Sequence, residues 1–166
     1  MNLSQSLLPE FDQEMANTRK VLERVPEDKF TWKPHPKSFT MGALATHVAT
    51  IPWWGQVTIE QESFDLAAPV PDEVRRTPET REELLERCDQ YVGKLRSALV
   101  AADDARLLAP WSLVKGSQTI FTLPRLAVLR SMVMNHIIHH RAQLGVYLRL
   151  NDLPVPGLYG PSADEK

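Results

Sequence analysis

Cysteine is nearly absent from this chain. Cys88 stands alone among 166 residues, so neither an intrachain disulfide nor an all-thiolate metal site can form. An excess of charge is also lacking. Lys and Arg number 19 against 21 Asp and Glu, a formal net charge of −2, and the two signs are interleaved. With no basic stripe, nucleic acid is not expected as a partner. No apolar run approaches the roughly 18 residues of a membrane span. The opening stretch MNLSQSLLPEFDQE is too acidic and too interrupted by polar residues for a secretory signal, and a cytoplasmic location is expected. Gly-rich phosphate loops and a Ser-His-Asp arrangement are missing. So is HExxH, because Ile137 stands where that motif needs its glutamate base.

What remains has the composition of a globular protein, 43% apolar and 24% charged, and is long enough for a single domain over residues 1–166. Leu7, Leu8, Phe11, Met15, Thr18 and Leu22 recur at helical spacing within 2–25. Pro26 ends that helix, and with Pro34 and Pro36 it makes 26–39 a connector. A second helix is predicted from Met41 to Glu60, capped by Ser38 or Thr40. Its buried side carries Leu44, His47, Val48, Ile51 and Trp54. Pro52 cannot donate to the carbonyl of Val48, so the helix either kinks there or stops. Residues 63–78 read as a second linker.

Thr80 and Glu83 stand in capping-box register before a third helix with Leu84, Cys88, Tyr91, Leu95 and Leu99 on its stripe. On that line Cys88 serves as a small hydrophobe rather than a reactive thiol. Between Asp103 and Leu123, WSLV and QTIFTL flank Lys115-Gly116-Ser117, the pattern of a short β-hairpin. A fourth helix is predicted from near Thr122, with Pro124 in its first turn. Its stripe is Leu126, Leu129, Val133, His136, Ile137, His140, Leu144 and Leu148. The tail LNDLPVPGLYGPSADEK cannot be helical. Four amphipathic helices predict an all-α fold, a four-helix bundle, with a short hairpin before the last helix.

Three of the five histidines lie in NHIIHHRAQLGVYLR, residues 135–149. His136 and His140 are four apart and share a helix face. His47 faces inward from the second helix. Helical HxxxH pairs hold zinc, and a third imidazole makes a three-nitrogen set with one coordination position open. An open position points to catalysis or ligand binding, since structural zinc sites are closed by four protein ligands. The competing reading makes each a core or rim histidine bonded to a carbonyl or side chain. His35, between Pro34 and Pro36, is assigned to a loop. His139 points roughly 100° away from His140 and is expected to support the site or an interface. Asn135 and Gln143 flank the pair and could orient it. Imidazoles suit zinc, nickel, iron and copper alike.

The ordered set WKPHPKSFTMGALATH, LATHVATIPWW, NHIIHHRAQLGVYLRL and VPGLYGPSADE resembles the DinB/YfiT-like metalloenzyme family over essentially the whole chain. The resemblance implies a bundle in up-down-down-up order, a homodimer, and a divalent metal on His47, His136 and His140. Relatives of that kind include thiol-dependent transferases and a mycothiol-dependent maleylpyruvate isomerase. The leading expectation is therefore a metal-dependent enzyme, a thiol S-transferase with zinc or nickel and a small thiol cosubstrate. The alternative chemistry is hydrolysis of an ester or amide by activated water. A rival from another class is a non-catalytic metal-binding stress-response module, with Trp53 and Trp54 at an interface.

Overall fold

The computed structural model describes residues 2–165. Helix α1 runs Leu3–Leu22. It starts at a capping box in which the Asn2 side chain accepts from the Gln5 backbone and the Gln5 side chain accepts from the Asn2 backbone. After a 3-10 turn at Glu27–Lys29, α2 spans Met41–Glu60. Thr40 caps it, accepting from the Ala43 backbone at 3.2 Å. The helix continues through Pro52, so the lost hydrogen bond does not end it. Packing explains this, because α2 is buried on most of its circumference and tertiary contacts outweigh the missing bond.

Residues 63–78 depart from the expected linker. They contain strand β1 (Ser63–Asp65) and a single helical turn, α3 (Asp72–Arg75). Helix α4 covers Arg81–Ala101, and α5 covers Asp104–Leu108. Thr80 caps α4 as predicted, accepting from the Glu83 backbone at 3.1 Å. Only half of the capping box forms. The Glu83 carboxylate accepts from the Glu79 backbone and pairs with Arg76 and Arg87 instead.

Strands β2 (Pro110–Lys115) and β3 (Gln118–Pro124) make the expected hairpin. Gly116 turns it at φ 57°, a conformation open to glycine at no steric cost. β1 lies parallel to β2 on the other side, with Phe64 opposite Leu113, giving the order β1-β2-β3. The all-α expectation is thus corrected to a mostly helical fold carrying a three-stranded sheet.

The last helix starts later than expected, because Pro124 still belongs to β3. Helix α6 (Arg125–Val128) leads into a π-helical stretch, Leu129–Met134, and then α7, Asn135–Arg149. The stripes predicted on α1 and α4 are buried, apart from partly buried Leu8. On the last helix the buried set is Arg125, Val128, Leu129, Val133, Met134, Ile137, Arg141, Leu144 and Leu148. A π turn holds more residues than an α turn and shifts the phase of the faces beyond it. His136 and His140 lie at the half-buried margin of the core line.

The core falls into three groups. Leu7, Phe11, Ile51, Leu95, Leu99 and Ile137 fill one end of the helices, and Leu22, Leu44, Val48, Leu84, Cys88 and Leu144 fill the other. Val57, Phe64, Trp111, Leu113 and Val128 join the sheet to α2 and α6. Among the described residues the tail has no helix or strand, but it is tied down. Asp164 pairs with Arg149, and the Tyr159 hydroxyl meets a buried ion pair between Arg141 and Glu14. Among the described residues, no helix is long and apolar enough to cross a membrane.

Candidate metal centre

His47 sits in the second turn of α2, beyond the Thr40 cap, while His136 and His140 occupy the first two turns of α7. The contact between α2 and α7 brings these residues together across 89 positions of chain. His47 Nε2 lies 3.2 Å from His136 Nε2. Ring centroids are 4.9 Å apart for His47 and His136, 4.7 Å for His47 and His140, and 4.6 Å for His136 and His140. One nitrogen from each residue falls within 4.8 Å of the other two, so the three could hold a metal ion. A tetrahedral zinc ion at its usual distance of about 2.05 Å would set its ligand nitrogens about 3.3 Å apart. The 3.2 Å pair meets that spacing.

The electrostatics favour neutral imidazoles, the ligating form. Burial, and then the neighbouring His140 and His136, push His47 down from 6.5 to about 4. His136 is lowered first by burial and then by His140, against a raising hydrogen bond from its ring to the Met132 backbone. His140 is also lowered by burial, while its bond to Gln143 works the other way. Three rings that disfavour protonation leave their lone pairs available to a cation.

Supporting bonds fix the ring orientations. Gln143 Oε1 lies 2.7 Å from His140 Nδ1, and Gln143 Nε2 lies 3.1 Å from His139 Nε2. With His140 donating from Nδ1, its Nε2 is left for a ligand, the arrangement typical of metal-bound histidine. His139 is exposed and reaches the cluster through Gln143, as a supporting residue. Asn135 is exposed and forms no side-chain hydrogen bond to the cluster among the described residues. His35 stays in its loop, where Nδ1 accepts from the Lys37 backbone at 3.1 Å. Cys88 is buried, and burial pushes its thiol up to about 12. Trp53 and Trp54 are half-buried against Phe64 rather than free on the surface.

Two further features carry no signal in the sequence. Phe39, 54% exposed, stands beside His47 and His140 at centroid distances of 6.1 and 6.5 Å. It divides two clefts. One, of about 280 Å³, opens on His47 between α2, β1 and α3. The other, of about 380 Å³, opens on His140 and carries Lys37, Ser38, Gln143 and Tyr147. A lone aromatic in a Pro-rich connector has no periodic signal to mark it.

A model of the DinB family matches residues 1–166. YrdA, an uncharacterized protein of Bacillus subtilis (strain 168), is 25% identical over 158 residues, which is 95% of this chain and 89% of YrdA. A DinB-like protein from Bacillus cereus ATCC 10987 superposes with a TM-score of 0.72 at 21% identity, over 93% of this chain and 97% of that one. The DinB-like protein YjoA from Bacillus subtilis gives 0.68 at 18% identity, over 97% and 98% of the two chains. At such identities the structural likeness speaks to the fold.

Proposed function

The chain belongs to the DinB family, and from that premise we propose a divalent-metal-dependent enzyme with His47, His136 and His140 as the ligands. The observation that carries this reading is the convergence of three imidazole nitrogens within 4.8 Å, with no carboxylate or thiol in the group. Zinc or nickel suits such a donor set. We take the four long helices, α1, α2, α4 and the α6–α7 run, as a bundle in up-down-down-up order and the protein as a homodimer.

The chemistry we assign is transfer of a small thiol to an electrophilic carbon. The bound ion would supply a Lewis acid that favours the thiolate of the cosubstrate. His47, His136 and His140 hold that ion with neutral rings, and Gln143 keeps His140 turned toward it. Lys37 and Gln143, in the cleft beside His140, offer polar contacts to a charged thiol. The protein's own thiol is unsuited to the task, because Cys88 is buried and resists ionisation. In the reaction the new C–S bond forms as the leaving group departs with its electron pair, and the thiol proton passes to solvent.

Metal analysis of untagged protein tests the first half, with close to one equivalent expected. A trace content after growth or incubation with both zinc and nickel would overturn it. The second half is read from a panel of small thiols with a chlorodinitrobenzene acceptor. Thiol conjugation in the wild type is expected to vanish in His140→Ala. A metal-replete protein without such turnover would be a binding module.

A further inference from the structure

The cleft on His47 has its own recognition chemistry. Its apolar wall is formed by Ile51, Trp54, Phe64, Leu66, Val70 and Val74. Two threonines also line it, yet their hydroxyl protons are committed to backbone. Thr46 Oγ1 donates to the Gly42 carbonyl at 2.7 Å, and Thr50 Oγ1 to the Thr46 carbonyl at 2.9 Å. No acidic residue lines the cleft among the described residues. Arg75 does, exposed and without a salt bridge among the described residues, whereas Arg76 and Arg87 both pair with Glu83.

A neutral polar ligand would find few donors here, and a cation would meet Arg75 with no acid to offset it. An anion with a hydrocarbon body satisfies both surfaces. The volume, about 280 Å³, is at the small end of ligand sites. We propose that this cleft binds a small apolar carboxylate, its hydrocarbon against Trp54 and Phe64 and its carboxylate on Arg75. Guanidinium and carboxylate form strong paired hydrogen bonds. The inference deepens the metal-centre reading, on which it rests for making this ligand the acceptor substrate; binding itself needs no ion.

Calorimetric titration of the full chain with hydrocinnamate and its neutral primary amide, in metal-free and zinc-loaded forms, is the test. In metal-free protein the acid is expected to bind roughly tenfold more tightly than the amide. Arg75→Gln should bring the acid down to the amide's affinity and leave the amide unchanged. Val70→Trp, which fills the cleft, should abolish both. Equal binding of acid and amide, a preference that survives Arg75→Gln, or no binding at all would overturn the inference. An acid preference confined to the zinc-loaded form would also overturn it, because the carboxylate would then be meeting the ion. The full pattern in a protein that binds no zinc would uphold the cleft and sink the metal centre.

Discussion

Gln143→Met removes the side chain that holds His140 by its Nδ1 nitrogen. In the native arrangement Gln143 Oε1 accepts from His140 Nδ1 at 2.7 Å, and its amide nitrogen is 3.1 Å from His139 Nε2. The bond fixes both the tautomer and the rotation of the ring. Loss of such an outer partner lowers metal affinity by roughly 10- to 100-fold. Gln143 is exposed, so water can replace part of the lost acceptor. The expected effect is therefore about tenfold, or about 1.4 kcal/mol. The folded state should change little, since the substitution is on the solvent side of α7. Zinc competition against a chromophoric chelator at neutral pH measures the affinity, and thermal melting of the metal-free protein checks the fold. Gln143→Glu should retain or tighten binding, because a carboxylate accepts more strongly from Nδ1. His139→Ala should have a minor effect, as its link to the centre is indirect. Wild-type affinity in Gln143→Met would refute the orienting role. Wild-type affinity in His140→Ala would refute the centre itself.

The half-buried His47 makes the metal-free fold sensitive to acid. The folded-state value of His47, about 4, lies below its ordinary 6.5, so the unfolded chain takes the proton first. Its contribution to stability is intact above 6.5 and is lost as pH falls toward about 4. Melting temperatures of the metal-free protein across that window should decline less steeply in His47→Gln; identical slopes would remove His47 as the cause. The Arg141–Glu14 pair predicts a different loss. Among the described residues, Arg141→Met leaves the Glu14 carboxylate buried with only the Tyr159 hydroxyl as a side-chain donor. Such a break costs about 3 kcal/mol, much of it recovered when Glu14→Leu is added. Urea unfolding measures both, and a single-variant loss below about 1 kcal/mol would contradict the account.

Periodicity carried most of the legible structure. The stripes of α1 and α4 needed only a regular repeat and an apolar partner face, and both are local properties. Thr40 and Thr80 could be read as caps because a cap satisfies backbone donors two or three residues ahead. β1 could not be read, because three residues carry no repeat and its partner β2 lies nearly fifty positions away. Arg125 and Arg141 were likewise hidden. A buried arginine looks like a surface one until its partners are in place, here the Pro110 and Gln61 carbonyls for Arg125 and Glu14 for Arg141.

The candidate centre divides in the same way. The sequence alone put His136 and His140 on one helical face, because 3.6 residues per turn superpose positions four apart. It also turned His139 away and placed His47 on the inner side of its own helix. Only the tertiary structure decided that His47 meets the pair, since that contact depends on how α2 packs against α7. Tertiary structure also set how far the rings are buried, and placed Phe39 between two clefts. Local spacing orients side chains on one element, but their distance across elements belongs to the packing.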